Sequence, residues 1–226
     1  MPLKKDLRQQ VVDYILRDIA PGKSQGQKSM DWFLERFSFV ENSILKKHLA
    51  EAFYQARFNE KTREALGLRK DFNNIFIKTQ ILLYASIYEA LIDYALEKKK
   101  SEQTVANLLK KVFYSPVNAL SSSAELTFKE GQTTQILYTC KKNSRTQTLK
   151  EIQFKDRLAA AIAIGFVEAK NQQDIEALYT SRNKIHILAA AADDFKPDGQ
   201  QSSKAFQNLF YFLQHANAFF ISPKNP

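Results

Sequence analysis

A mainly α-helical protein with one small β element is what this sequence predicts, and three observations carry that expectation. Glycine and proline number only six each among 226 residues, while Ala, Leu, Ile, Lys, Gln and Glu are plentiful, which favours helix. Apolar residues recur at three-to-four spacing along most of the chain. The one sustained alternation of apolar and polar residues lies between about Ala124 and Ile152, as a strand pattern requires.

Residues from about Lys4 to Ile19 place Leu7, Val11, Val12, Ile15, Leu16 and Ile19 at helical spacing, and Pro21-Gly22 stops the pattern. A polar connector follows, and Ser29 or Asp31 can cap a short helix carrying Trp32, Phe33 and Phe37. A longer helix is expected over about Glu41 to Leu66, ended by Gly67, with Ile44, Leu45, Leu49, Phe53 and Phe58 on or near its inner face. From about Phe72 to Lys98 apolar residues nearly encircle the helix, from Ile75 and Ile77 to Leu91, Ile92 and Leu96, so this should be the central, most buried element. Ser121-Ser122-Ser123 reads as a turn. Strands are expected over Glu125 to Lys129 and Thr134 to Thr139, with a turn at Glu130-Gly131 and a third short strand through Thr146 to Ile152. Helix then resumes from Phe154 to Gly165, again from about Asp174 to before Asp193, and last from about Ser202 to Phe220.

The 44% hydrophobic fraction is ordinary for a globular protein with a sizeable core, and 17 phenylalanines supply much of its bulk. The formal charge is +9, from 33 Lys and Arg against 24 Asp and Glu. Basic residues cluster at Lys98-Lys99-Lys100, at Lys110-Lys111 and at Lys141-Lys142 with Arg145. Such an excess favours acidic partners without choosing among RNA, DNA and anionic membrane, and solvated helix ends explain the clusters equally well. Cys140 is the single cysteine, which excludes an intrachain disulfide and a cysteine-based zinc site and points to the cytoplasm. The charged N-terminal stretch has no signal-peptide pattern, and no run approaches 18 uninterrupted apolar residues, so neither secretion nor membrane spanning is expected.

The chemistry-bearing cluster is Arg182, Asn183 and His186 on the penultimate helix. Positions four apart lie about 40° apart around a helix, so Arg182 and His186 point at one volume. A guanidinium can hold a phosphate through its planar fork, and an imidazole can exchange a proton near neutral pH. The plainer account pairs Arg182 with an acid such as Glu176 or one on a neighbouring helix and makes His186 a packing residue. Glu89 is a second candidate, because a carboxylate within the apolar run must be paired or must line a cavity. Tyr179 is either a core ring or a platform for an RNA base, and Lys184 sits within the motif. His48 is expected at the surface, and His215 in packing.

Tyr88-Glu89-Ala90-Leu91-Ile92-Asp93, then Phe154-Lys155-Asp156-Arg157-Leu158 through Ala163-Ile164-Gly165-Phe166-Val167, then Arg182-Asn183-Lys184-Ile185-His186, follow in an order that resembles the HEPN superfamily over about Phe72 to Phe220. The resemblance implies an up-and-down helical bundle with a β-hairpin insertion. It divides the chain into an N-terminal helical segment over residues 1–70, packed on a HEPN-like domain over 71–226 with the insertion at about 124–152. It also implies a homodimer and a metal-independent endoribonuclease of a defence or toxin system, without cofactor, acting on RNA and in some cases held by an antitoxin or other protein partner. Arg182 would then hold phosphate, Asn183 would be its polar companion and His186 the acid or base, with Glu89, Tyr179 and Lys184 in support. The family places four to six residues between arginine and histidine, and this chain has three. A non-catalytic HEPN-like module that binds nucleic acid or a protein is therefore the alternative.

Overall fold

A computed structural model describes residues 5–19, 29–68, 70–116, 126–130, 133–137, 140–185, 196 and 198–221. Within them the chain runs α1 (Lys5–Asp18), α2 (Ser29–Arg36), α3 (Ser43–Ala65), α4 (Lys70–Lys98), α5 (Gln103–Leu109), β1 (Lys110–Pro116), β2 (Leu126–Glu130), β3 (Thr133–Leu137), β4 (Cys140–Thr146), α6 (Phe154–Ala163), α7 (Gln172–Lys184) and α8 (Gly199–Ile221). The protein is mainly helical, with two small antiparallel sheets.

The apolar pattern of α4 makes it the centre. It packs against α3, α6, α7 and α8, while α1 and α2 pack on α3. Ile81, Ile87, Leu91, Ile92 and Leu96 are fully buried in a core that runs from Ile19 to Ala216. By length and composition Phe72–Lys98 could also cross a bilayer, and half of that stretch is buried inside the protein. Aromatic rings fill the space between layers: Phe33 meets Phe53 edge-on at 5.1 Å, and Phe166 meets Phe212 edge-on at 5.3 Å. Such edge-to-face pairs add about 1 kcal/mol each beyond the area they bury.

Helix ends follow local sequence chemistry. The Asn42 side chain accepts the Leu45 N–H at 2.9 Å and so starts α3, satisfying one of the orphan donors of the first turn. Both α3 and α6 end in the same glycine turn. Gly67 and Gly165 take φ values of 56° and 76°, and the residue after each glycine donates to the carbonyl five positions back, Leu68 to Arg63 at 3.2 Å and Phe166 to Ala161 at 2.9 Å. Left-handed backbone of this kind favours glycine. The second turn drives Phe166 into the core, and His215 of α8 donates from Nε2 to the Gly165 carbonyl at 3.0 Å.

Several expectations need correction. Ile44 is exposed and Phe58 lies at the rim of α3, stacked on Tyr54, so neither belongs to the inner face. Leu7, Val12 and Leu16 of α1 and Ile75 of α4 are likewise exposed. The apolar stripe in each case is wider than the neighbour that covers it. The expected hairpin forms as β2 paired with β3, Lys129 facing Thr134. Beyond Thr146, the last residue of β4, no strand forms up to Ile152. Residues Leu149–Glu151 instead make a single 3-10 turn, and the strand precedes it as β4, which pairs with β1 rather than with the hairpin. The Ser121-Ser122-Ser123 turn and His186 lie outside the described residues.

The 3-10 turn is a reciprocal cap. Glu151 accepts the Thr148 N–H at 2.8 Å and Arg145 Nη2 at 2.6 Å, and these bonds, Arg145 first, hold its carboxyl down to about 2. A lowered carboxylate pKa adds stability above the ordinary carboxylate range that is lost as pH falls towards the folded value. The melting temperature of the wild type should therefore exceed that of Glu151→Gln near neutral pH, and the gap should close between about pH 4.5 and 2.

Candidate functional site

α7 inserts Ile175, Leu178 and Ser181 into the core. Positions three or four residues along share that face, which sets Tyr179 and Arg182 at its flank. Arg182 Nη1 lies 2.9 Å from Glu89 Oε2 on α4, with 29% of its side chain exposed. Glu89 is shared. Its other oxygen, Oε1, accepts Arg157 Nη2 of α6 at 2.8 Å, and Arg157 Nη1 reaches Asp93 Oδ2, one turn along α4, at 2.6 Å. Two carboxylates of α4 thus bind together α6 and α7 through one arginine from each.

Arg157 is the buried member, 5% exposed, and its Nε has no hydrogen-bond partner among the described residues. Burial alone would lower its pKa, but the hydrogen bonds it donates to Glu89 and Asp93 outweigh this and hold it above its ordinary value. Burial pushes the Asp93 carboxyl up, and the Arg157 bond and charge oppose that only in part. The cluster carries two positive and two negative charges. Its net charge is zero.

An aromatic pair stands beside it. Phe154 of α6 and Tyr179 of α7 stack with centroids 3.9 Å apart and planes 12° from parallel. Each ring precedes its arginine by three residues, so the Arg157 guanidinium lies 5.5 Å from the Phe154 centroid and that of Arg182 lies 5.4 Å from Tyr179. The outer side of this stack lines an open groove of about 430 Å³ with Gln153, Lys155, Glu176, Thr180 and Asn183. A planar ring, an amide and an ammonium around an open groove can stack a base and hydrogen-bond its edges.

The structure joins Arg182 to Glu89 and sets its guanidinium over Tyr179, which lines the groove with Asn183. Lys184 is half-buried, on the last turn of α7. Glu176 bonds Gln172 rather than Arg182, and Glu89 takes the part offered to it. His48 is exposed beside Glu51. Arg157, Asp93 and Phe154 were not assigned roles from sequence. The signal for Asp93 was its position four residues after Glu89, on one face of an otherwise apolar helix. Among the described residues no three His, Cys, Asp or Glu side chains are grouped to hold a metal ion. No protein-family model, curated protein or solved structure matches the chain.

Proposed function

We propose that this chain is a HEPN-like protein acting on RNA in the groove beside Tyr179 and Asn183, as a metal-independent endoribonuclease of a defence or toxin system. The observation that carries the proposal is Arg182, a partly exposed guanidinium fixed by Glu89 and lying over the ring of Tyr179, which itself lines an open groove. A base stacked in the groove would bring its phosphate within reach of Arg182. His186, four residues along the chain, would take the proton from the ribose 2′-hydroxyl, and the freed oxygen would attack the adjacent phosphorus. Arg182 would stabilise the charge growing on the phosphoryl oxygens, leaving a 2′,3′-cyclic phosphate. One chain offers one copy of the motif, so a twofold homodimer would double the donors in a shared cleft. An antitoxin or other protein partner and a cytoplasmic setting belong to the same proposal.

The test is incubation of purified protein with single-stranded RNAs in EDTA, with the product ends analysed by mass. Cleavage leaving cyclic phosphate ends is expected, and light scattering should give twice the chain mass at tens of micromolar. The second reading, a non-catalytic HEPN-like binding module, is favoured by one observation. The Arg182 charge is already matched by Glu89. Binding without cleavage across varied RNAs would select it.

A further inference from the structure

Two basic clusters that lie some thirty residues apart in sequence meet on a ribbon that shares no residue with the lining of this groove. β1 and β4 form an antiparallel ribbon in which Lys111 faces Arg145, Tyr114 faces Lys142 and Ser115 faces Lys141. Directly opposed residues share a face, so Lys110, Tyr114 and Lys142 lie on one side of the ribbon. Lys111, Phe113, Lys141 and Arg145 lie on the other.

A sheet packed on a core buries alternate residues. This ribbon does not. From Lys110 to Tyr114 and from Cys140 to Thr146 every residue but the half-buried Asn143 is exposed, so both faces meet solvent. The ribbon is held at its root, where the Gln147 backbone N–H donates to the Leu109 carbonyl at 2.8 Å and its side chain donates to the Leu108 carbonyl at 3.0 Å.

Neither strand contains an acidic residue. Arg145 pairs with Glu151, whereas Lys110, Lys111, Lys141 and Lys142 have no ion-pair partner among the described residues. The like charges of Lys111 and Arg145 sit directly opposite, an arrangement that disfavours pairing. Lysines do protect free strand edges from unwanted pairing, but that role gives no reason to expose an aromatic ring on each face. Phe113 is 40% exposed and Tyr114 65%.

We propose that the β1–β4 ribbon binds single-stranded nucleic acid, its four exposed lysines holding phosphates while Phe113 and Tyr114 stack on bases. A positive track interleaved with aromatic platforms is the chemistry that single strands require. Two-stranded ribbons also enter the major groove of duplex DNA, yet paired bases are already stacked and would leave both rings unused. The proposal rests on the ribbon alone and does not depend on cleavage by His186.

Fluorescence anisotropy on the full chain tests it, with labelled single strands of DNA and of 2′-O-methyl RNA, which lacks the nucleophile needed for cleavage, and with a DNA duplex. Replacing Lys110, Lys111, Lys141 and Lys142 together by Gln should flatten the slope of log affinity against log salt by about 3, at about 0.7 per phosphate contact. Phe113→Ala and Tyr114→Ala should each weaken single-strand binding by about fivefold to a hundredfold and leave that slope unchanged. Replacing Lys47, Lys170 and Lys204 by Gln, exposed positions outside the ribbon, should alter neither. Equal affinity for the two strands supports recognition of backbone and base faces, and a tenfold preference for RNA assigns the site to RNA.

The proposal is overturned if neither single strand binds, if the fourfold variant binds as tightly as wild type, or if duplex binds more tightly than both single strands. Polyglutamate held by the ribbon lysines in place of either strand would overturn it in favour of an acidic protein partner. Should the fourfold variant fail to fold, Tyr114→Ala, a change at an exposed position, decides the matter by itself. Loss of ribbon binding with cleavage intact, or the reverse, separates this proposal from the nuclease one.

Discussion

Replacing His186 by Ala is expected to lower cleavage of single-stranded RNA by on the order of 10² or more, the contribution typical of a positioned proton-transfer group. Affinity for 2′-O-methyl RNA should stay close to wild type, because the imidazole acts on the 2′-oxygen and not on the base. EDTA should leave wild-type cleavage unchanged, since the proposed step uses only an imidazole and a guanidinium. The opposite pattern has an equally definite meaning. If RNA binding is intact, no substrate is cleaved by the wild type and His186→Ala melts several degrees lower, then His186 is a packing residue and the chain is a binding module.

Arg157→Ala should cost the most stability. Among the described residues, removing this guanidinium leaves Glu89 with one cation instead of two and Asp93 with none. Breaking a buried pair on one side typically costs 3–5 kcal/mol. Both carboxylates keep some contact with solvent, which favours the lower end, about 3 kcal/mol, or on the order of 10 °C in melting temperature for a chain of this size. The pH dependence gives the cause away. Asp93 already sits above its ordinary value because of burial, and Arg157 is the group that restrains it. Without Arg157 its folded pKa rises further, so the folded state takes up a proton at a higher pH than the unfolded chain does. The deficit should therefore be full above that raised value and shrink as pH falls through it. A deficit that stays constant from pH 8 to pH 4 would assign the loss to packing of the arginine stem instead.

Helices were legible where the sequence concentrates apolar residues at one period. The central position of α4 follows from the ring of Ile and Leu around it, and the ends of α3 and α6 follow from Gly67 and Gly165. The ribbon was not legible. Lys110–Pro116 and Cys140–Thr146 show no alternation because no core lies against either face, and period-two patterning is the trace of one-sided burial. Pairing across some thirty residues leaves no local mark at all.

At the site, the Arg182–Glu89 contact was half legible. A carboxylate in an apolar run and an arginine on a later helix each announced a need for a partner, but only the packing of α7 on α4 joined them. Arg157 escaped notice because a single arginine near the start of a helix looks the same whether it faces solvent or two carboxylates.

The shared carboxylate gives the cluster a property of its own. Arg182 does not wait as an empty socket for phosphate. An anion that reaches Arg182 Nη1 competes with Glu89 Oε2, and a displaced Glu89 keeps Arg157 as its remaining cation. At that nitrogen occupancy is an exchange of one anion for another, and the net gain from a single phosphate there is small. Mononucleotides and free phosphate should compete poorly with a polymer, whose neighbouring bases and phosphates add contacts outside the exchange. If the groove takes RNA as proposed, the ion pair would in this way favour a strand over its monomers with no contact that reads sequence.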